Sequence, residues 1–491
     1  MKPAYRSLLG TAVIALCISA TGAAAQEIVT KQYDDGGIYE GTFKNGLRHG
    51  QGTYRLPNGY EYSGDWVEGE ILGQGRARYP NGSVYEGQFV KSKPHGKGKM
   101  VFADGGSYEG DWTEGEITGE GVLRFANGAV YTGPLTKGQP HGSGRMENPG
   151  GYAYEGDWVM GVMEGKGRIT YPDGAVYEGG MLRGKRAGQG TLTMPDGLTY
   201  EGAWSEGQMH GMGKLTQGNG DVFEGQMQNG KRTGPGKVTY ANGDIFEGQF
   251  LNDKRHGKGM FRGADGFSYE GDWAEGRIAG LGKATYPEGA VYEGSFAQDV
   301  ADGQGKITYP DGSTYEGGWK AGAIEGQGTA TYANGIVYEG EFKAGKNHGQ
   351  GKLANPDGSS YEGGWAEGLR HGQGVATYSD GAVYTGEFVL GEREGQGEFV
   401  TPEGFRYNGQ WKAGEIDGQG VATYANGDVY EGTFAAGKWH GRGTLRYASG
   451  EVVSGTWAEG VLTAQDPEPP EAPAPGEASD AAEAPAATQG N

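Results

Sequence analysis

Glutamate recurs along this chain at a fixed interval, and the resulting row of carboxylates is the feature best suited to carry chemistry. The residue after a recurring aromatic residue is Glu in fourteen of nineteen copies, including Glu40, Glu86 and Glu431. Convergent carboxylates can bind a cation or flank a glycosidic bond. If each copy forms two strands, neighbouring carboxylates are about 9.6 Å apart, too far for one shared ion or for a retaining glycosidase. We therefore interpret the row as a solvated stripe, partly paired with basic residues such as Lys99, Arg145, Lys214 and Lys306.

Histidine follows the same interval. All eight histidines stand ten residues after the aromatic residue, at His49, His95, His141, His210, His256, His348, His371 and His440. Most are two or more copies apart, or roughly 20 Å or more along a sheet, which is too far for joint coordination of a metal ion. The pattern predicts hairpin-loop residues, and we expect no metal site. The sequence also contains no nucleophile-base-acid set and no cofactor fingerprint, so we expect no catalytic residue, no cofactor and no enzymatic activity.

Charge and cysteine content exclude further classes. The chain has 42 basic and 63 acidic residues among 491, a formal net charge of −21. Nucleic acid is therefore not an expected partner, because phosphate binding requires concentrated Lys and Arg. Attraction to anionic lipid head groups is disfavoured for the same reason. Cys17 is the only cysteine, and it lies in an N-terminal apolar stretch.

The recurring aromatic residue defines a strict 23-residue repeat from Tyr39 to Tyr430. The copies are Tyr39, Tyr62, Tyr85, Tyr108, Tyr131, Tyr154, Tyr177, Tyr200, Phe223, Phe246, Tyr269, Tyr292, Tyr315, Tyr338, Tyr361, Tyr384, Tyr407 and Tyr430, followed by Val453 in a partial copy. Glycine stands two residues later in all nineteen copies, from Gly41 to Gly455. Such a repeat predicts one array of small structural units rather than several globular domains.

Alternation within the repeat predicts two β-strands. Positions are numbered from the aromatic residue, which is position 0. Positions 0, 2 and 4 share one face, as in Tyr39, Gly41 and Phe43, while the Glu at position 1 faces the other way. Glycine at positions 11 and 13 and an apolar residue at position 15 mark a second strand, and a Pro-Asn-Gly or Pro-Asp-Gly turn follows. Each repeat is therefore a β-hairpin, and glycine on the aromatic face is expected to leave room for rings.

These residues resemble the MORN repeat family, whose unit reads roughly Y-E-G-x-F/W-x-x-G-x-x-H-G-x-G. The resemblance covers residues 37 to 463, and two segments that follow it closely are Tyr85-Glu86-Gly87-Gln88-Phe89 and His95-Gly96-Lys97-Gly98. It implies an all-β fold: an elongated, single-layer, twisted antiparallel sheet of about 18 successive hairpins. It implies function less well, because members of the family serve as scaffolds, dimerisation modules, membrane tethers and appendages to enzymes.

The termini differ from the array. Residues 1–25 have the features of a secretory signal peptide: Lys2 and Arg6, an apolar stretch, and the site Ala23-Ala24-Ala25. The mature chain then begins at Gln26, with a short lead-in over 26–36 and the repeat array over 37–463. Residues 464–491 are rich in Pro, Ala and Glu and lack aromatic residues, which predicts a disordered tail.

A second periodicity of 46 residues is superimposed on the first. Position 4 alternates between Phe, Leu or Met in one repeat and Trp in the next, but Met227 and Phe250 follow each other directly. Two explanations remain open. The slip between 205 and 250 records the gain or loss of one repeat, or it marks a bend or a boundary between two binding halves.

The rows of aromatic residues predict an association surface, because a single-layer sheet has no second layer to cover them. The candidate interaction face comprises Tyr39, Phe43, Trp66, Tyr85, Trp112, Tyr154, Trp158, Trp204, Trp273, Trp319, Trp365, Trp411 and Trp457. We expect a non-enzymatic exported scaffold, periplasmic, in the cell envelope or secreted, that binds a protein partner or a second copy of itself through this face. The alternative is an envelope-binding module for phospholipid or cell-wall glycan.

Overall fold

The computed structural model describes residues 27–467, and every regular element within that range is a β-strand. The predicted signal peptide and most of the predicted tail lie outside the described residues. The strands fall into two units, with the division between Ala241 and Asn242. This division lies within the predicted phase slip, whose meaning stays a prediction.

The first unit contains twenty strands. They are β1 Val29–Gln32, β2 Ile38–Lys44, β3 Leu47–Arg55, β4 Glu61–Val67, β5 Glu70–Arg78, β6 Val84–Val90, β7 Lys93–Val101, β8 Ser107–Thr113, β9 Glu116–Arg124, β10 Val130–Thr136, β11 Gln139–Pro140, β12 Gly142–Glu147, β13 Ala153–Val159, β14 Val162–Thr170, β15 Val176–Leu182, β16 Lys185–Thr193, β17 Thr199–Ser205, β18 Gln208–Thr216, β19 Val222–Gln228 and β20 Lys231–Thr239. β11 and β12 are one interrupted strand, with His141 between them.

The second unit contains another twenty strands. They are β21 Ile245–Leu251, β22 Lys254–Arg262, β23 Ser268–Ala274, β24 Arg277–Thr285, β25 Val291–Ala297, β26 Val300–Thr308, β27 Thr314–Lys320, β28 Ala323–Thr331, β29 Val337–Lys343, β30 Lys346–Ala354, β31 Ser360–Ala366, β32 Leu369–Thr377, β33 Val383–Val389, β34 Glu392–Val400, β35 Arg406–Lys412, β36 Glu415–Thr423, β37 Val429–Ala435, β38 Lys438–Arg446, β39 Val452–Ala458 and β40 Val461–Gln465. Within each unit consecutive strands pair antiparallel in an open sheet, which confirms the predicted all-β fold class.

The register repeats the sequence pattern. In the hairpin β25–β26, Tyr292 lies opposite Ile307 and Gly294 lies opposite Gly305. A bulge follows at position 3, so that Phe296 lies opposite Ala301. The next strand continues the alignment, with Gly305 also opposite Gly317. Glycines from successive strands therefore form a continuous row across the sheet.

The turn between repeats takes the form that the sequence predicts. In Tyr309-Pro310-Asp311-Gly312, the N–H of Gly312 donates to the carbonyl of Tyr309 at 3.0 Å. The Asp311 carboxylate accepts from the N–H of Ser313 at 2.8 Å. Gly312 has a φ of +88°, and the glycine at this position has a positive φ in all eighteen full repeats, as predicted.

Each aromatic residue at position 0, called the signature ring, lies flat on the glycine row. A Cβ added at Gly305 would overlap the ring of Tyr292, and one added at Gly144 would overlap the ring of Tyr131. The buried hydroxyl of Tyr292 donates to the carbonyl of Ser295 at 2.9 Å. The glycines thus give the rings the room that the sequence suggested, and the hydroxyl finds a backbone partner.

The signature rings are joined by the residues at position 4, called the inner rings where they are aromatic. Tyr292 packs edge-on against Phe296 of its own repeat at 4.9 Å and against Trp319 of the next repeat at 5.1 Å between ring centroids. The indole N–H of Trp319 donates to the carbonyl of Gly305 at 3.3 Å. Alternating signature and inner rings therefore form a core within one layer of sheet, and each buried ring contributes on the order of 1.5–3 kcal/mol.

The last repeat closes this core differently. Val453 replaces the signature ring beside Trp457. The indole of Trp439 stacks on Tyr430 at 4.6 Å with an interplanar angle of 8°, and it packs on Trp457 at 4.9 Å. Trp439 thus covers the end of the ring row, which terminal repeats of such arrays require.

We predict that Gly144→Ala destabilises the first unit by about 1–3 kcal/mol, because the added methyl group overlaps the Tyr131 ring and forces the core to shift. The urea midpoint of the purified chain, followed by circular dichroism, measures the effect. Gly150→Ala in the same repeat is the control, since nothing lies within 4 Å of its added Cβ. Equal midpoints for the two variants would contradict the ring-on-glycine account.

Candidate interaction surfaces

The thirteen residues of the predicted interaction face do lie on one face of the sheet, but they are not its solvent surface. Eleven of them are buried, with exposed fractions between 0% for Tyr39 and 8% for Trp365. Phe43 and Trp319 are partly exposed. The expectation that these rings lie open on a single-layer sheet is therefore corrected, because the signature rings lie on glycine and the inner rings pack edge-on against them. Whether this face binds a partner stays a prediction.

Arginine side chains at position 9 cover several of the tryptophans. The guanidinium carbon lies 4.2 Å from the ring centroid in each of the pairs Arg48–Trp66, Arg186–Trp204, Arg255–Trp273 and Arg393–Trp411. This planar stacking combines apolar contact with a cation–π interaction. Sequence reasoning missed these residues, although Arg at position 9 of six repeats was the available signal.

The opposite face carries the predicted carboxylate row. Glu at position 1 lies across from position 14 of the adjacent strands, as Glu316 does from Lys306. The ion pairs Lys99–Glu109, Lys214–Glu224 and Lys306–Glu316 are 3.9, 3.4 and 3.4 Å long. The predicted pairing is confirmed for these three lysines, whereas Arg145 pairs with Glu147 of its own strand at 2.5 Å. Exposed pairs of this kind contribute about 0–1 kcal/mol each.

One carboxylate of the row, that of Glu293, is stabilised in its charged form by a lysine. Glu293 forms a hydrogen-bonded ion pair with Lys283 at 2.7 Å. The Lys283 ammonium lowers the pKa of the Glu293 carboxyl, and the carboxylate raises the pKa of Lys283. A general acid would need the opposite shift, a carboxyl whose pKa is raised toward neutrality.

The histidines lie near the bulge, in the second strand of each hairpin, as His49 does in β3, or beside it, as His141 does. The prediction of loop residues was therefore wrong for the strand positions. Nδ1 of His49 and of His141 accepts a long hydrogen bond, 3.5 Å, from the N–H of Glu68 and of Met160 in the next repeat. Among residues 27–467 no group of three or more His, Cys, Asp or Glu side chains is placed to hold a metal ion.

An open groove runs across the strands on the face that carries the carboxylates. Its floor is the glycine row, where no side chain stands, and its sides are the residues at positions 1, 3, 12 and 14. One stretch of about 780 Å³ is lined by Glu86, Lys97, Lys99, Glu109, Glu120 and Gly110, among others. A second stretch of about 1230 Å³ is bordered by Glu155, Lys166, Arg168 and Glu178 above Gly156 and Gly167. Sequence reasoning identified the residues at positions 1 and 14, which form one side, but not those at positions 3 and 12 or the groove itself.

Burial changes the acidity of the signature tyrosines. It raises the pKa of Tyr85, Tyr108 and Tyr292 to about 12, and it raises the pKa of Tyr62 further. Desolvation is the main cause, because the phenolate would lie against glycine backbone and neighbouring rings.

We predict that the protein loses stability between about pH 10 and pH 12. Tyrosines in the unfolded chain ionise near pH 10, whereas the buried tyrosines hold their protons to about pH 12, so the unfolded state binds fewer protons over this range. The stabilisation is complete below pH 10 and is lost as pH rises. Tyrosinate absorbance and circular dichroism, followed together, should show one coupled transition.

Tyr292→Phe provides the control, since Phe223 and Phe246 show that the site accepts a phenyl ring. The variant should release one fewer proton in that transition. Tyrosines that ionise near pH 10 while the sheet stays intact would contradict the prediction.

No helix able to cross a bilayer occurs in the part of the chain that the structure describes.

Comparison with known families gives one match over nearly the whole array. The model described as MORN repeat matches eighteen times, at residues 39–59, 62–84, 85–107, 108–130, 131–151, 154–176, 177–199, 200–222, 223–245, 246–267, 269–291, 292–314, 315–337, 338–360, 361–383, 384–406, 407–429 and 430–452. These segments repeat the 23-residue register of the signature rings.

Individual relatives match much less. Alsin of Rattus norvegicus is 47% identical over 49 residues, which are 9% of this chain and 3% of Alsin. Alsin of Homo sapiens is 45% identical over 49 residues, which are again 9% of this chain and 3% of Alsin. The chain thus spans about 3% of the length of these curated relatives.

Solved structures give only weak similarity. The TCP10 domain of Danio rerio CPAP aligns over 54% of this chain and 99% of that domain, with 13% identity and a TM-score of 0.14. The same domain in complex with a peptide of Danio rerio STIL aligns over 60% of this chain and 99% of that chain, with 14% identity and a TM-score of 0.14.

Proposed function

Because the chain belongs to the MORN repeat family, whose repeats commonly take part in protein or membrane interactions, we propose that it is a non-enzymatic scaffold that binds an extended protein partner in the glycine-floored groove. The groove is the observation that carries this proposal. It is open and lined by charged side chains, whereas the rings of the other face are largely buried.

The construction of the groove favours an extended chain over a compact ligand. The floor of the groove is backbone alone, because positions 2 and 13 direct their Cβ side toward the rings of the other face. Charged groups recur at position 1 or position 14 in nearly every repeat, or about every 9.6 Å, so one extended segment can contact several repeats in succession. Small-molecule sites are instead concave and mostly apolar.

The charge of the chain favours a partner with basic residues. The net charge is −21, and Lys or Arg already neutralises several of the groove carboxylates. Such an interface should be specific through its charge pattern and sensitive to ionic strength. A lipid-binding surface would need an exposed apolar or basic area, and the groove has neither in excess.

We predict that a photo-crosslinking amino acid at Val122 or Thr191, both of which line the groove, captures one protein in living cells. The same amino acid at Phe125, which is exposed on the face of the rings, is the control. The same protein at both groove positions and not at Phe125 supports the proposal. A second copy of this chain captured in that pattern supports its self-associating form.

A charge-swapped variant tests whether the groove itself recognises the partner. Lys99→Glu combined with Glu109→Lys keeps the net charge and the ion pair but inverts its direction. Capture at Val122 should fall while the urea midpoint stays unchanged. Capture of phospholipid or cell-wall glycan alone, or equal capture at Phe125, would overturn the proposal.

The scaffold is proposed to act outside the cytoplasm, in the periplasm, cell envelope or medium. The support is the charged, apolar and small-residue pattern of residues 1–25.

Export predicts a mature chain that begins at Gln26 and, having lost Cys17, contains no thiol. The intact mass of the purified protein and its reaction with a thiol reagent measure both properties. Ala25→Leu should block cleavage and retain the thiol, since the cleavage site requires a small residue there. A wild-type chain that keeps residues 1–25 would contradict the prediction.

A further inference from the structure

Position 9 of each repeat governs the exposure of the Trp at position 4 of the following repeat. Each of the four stacked arginines does so by the same two contacts. Its guanidinium lies 4.2 Å from the ring centroid, and its Nη2 donates to the carbonyl of the glycine in the next loop. The pairs are Arg48 with Gly69 at 3.0 Å, Arg186 with Gly207 at 2.7 Å, Arg255 with Gly276 at 3.0 Å and Arg393 with Gly414 at 2.6 Å.

Under these arginines, the tryptophans are 2–5% exposed. Where position 9 carries Pro94, Pro140, Asn347 or Trp439, the following tryptophans are still only 5–8% exposed. A planar or bulky side chain at this position is therefore sufficient to bury the indole.

Ala301 is the exception. It occupies position 9 before Trp319 with a single methyl group, and among the tryptophans at position 4 in the described residues only Trp319 is partly exposed. The indole still packs on Tyr292 and donates to the carbonyl of Gly305, so its placement is that of the other tryptophans. The indole of Trp319 lacks only the large side chain at position 9 that covers the other tryptophans.

Exposed aromatic side chains lie at the ends of the hairpin that contains Trp319. Tyr309 and Tyr332, which flank this repeat, are 39% and 43% exposed. They line a neighbouring cavity of about 570 Å³, together with Asp311 and Phe342. The face of an exposed aromatic ring can bind a cation.

We propose that Trp319 is a docking site for an arginine side chain of a protein partner, which takes the place that arginine at position 9 occupies in four other repeats. The guanidinium stacks on the indole and donates to the carbonyl of Gly322, which corresponds to Gly69, Gly207, Gly276 and Gly414. The net charge of −21 favours a basic partner at this surface. The site lies on the face opposite the groove, so it does not rest on the function proposed for the groove.

The test uses the mature chain labelled with 5-fluorotryptophan and followed by fluorine nuclear magnetic resonance. Trp319→Phe assigns the Trp319 signal. The probe is the capped tripeptide Gly-Arg-Gly, and its uncharged isostere Gly-citrulline-Gly is the matched control. We expect a saturable shift that is largest at Trp319, with roughly fivefold to tenfold weaker binding of the citrulline peptide.

Two variants of Ala301 distinguish a binding site from a tryptophan that is merely exposed. Ala301→Arg should cover Trp319 as Arg255 covers Trp273, and Ala301→Asn should cover it without adding charge, as Asn347 precedes the buried Trp365. Both should abolish the response to the arginine peptide. Ala297→Arg adds the same charge at an exposed residue of the same repeat and should leave the response intact.

Three results would overturn the proposal. They are the absence of a saturable shift at Trp319, equal responses to the arginine and citrulline peptides, and a response that persists in both Ala301 variants. Circular dichroism of each variant verifies that the sheet is intact. The outcome is independent of the groove experiment, because neither Val122 nor Thr191 is altered.

Discussion

The packing of a tyrosine ring on bare glycine backbone is the interaction on which the rest of this structure depends. A sheet of one layer has no opposing layer to bury its apolar face, and isolated strands of this kind are marginal in water. Here the glycines of the neighbouring strand leave space above the backbone, and the tyrosine ring fills it. The hydroxyl donates to a backbone carbonyl, as Tyr292 does to Ser295. The second layer is, in effect, replaced by side chains of the same layer.

This packing explains both the high glycine content of the chain and the strict length of its repeat. No residue with a Cβ fits under the ring, so glycine is fixed at positions 2 and 13. The rings of successive repeats also touch, as Tyr292 touches both Phe296 and Trp319, so each repeat must present its ring at the same height and angle. An inserted residue would reverse the faces of every residue up to the next turn.

The sequence predicts the strands, turns and facing of residues well because period-two alternation and glycine at a turn are local properties. It predicts the solvent exposure of the rings poorly, because exposure depends on where the ring of Tyr39 or Tyr85 lies relative to a neighbouring strand. Arg186 and Arg255 show the same limit. In the sequence, a charged residue at a position that is often apolar is only an irregularity. The distance of 4.2 Å from the guanidinium to the indole ring shows that the arginine covers the tryptophan. The groove was missed because only its side at positions 1 and 14 was identified, whereas the side at positions 3 and 12 varies too much in residue type to stand out in the sequence.

The ion pairs between loops have a consequence for how such a chain can grow. Lysine at position 8 contacts Glu at position 6 of the next repeat in Lys93–Glu114, Lys185–Glu206, Lys254–Glu275, Lys346–Glu367 and Lys438–Glu459. In each case the lysine precedes a repeat with Trp at position 4. These lysines are 92 residues apart, except for the interval of 69 residues between Lys185 and Lys254, which contains Met227 and Phe250. A tandem copy of 92 residues, which is four hairpins, would therefore preserve both the alternation of the inner rings and the spacing of the loop ion pairs.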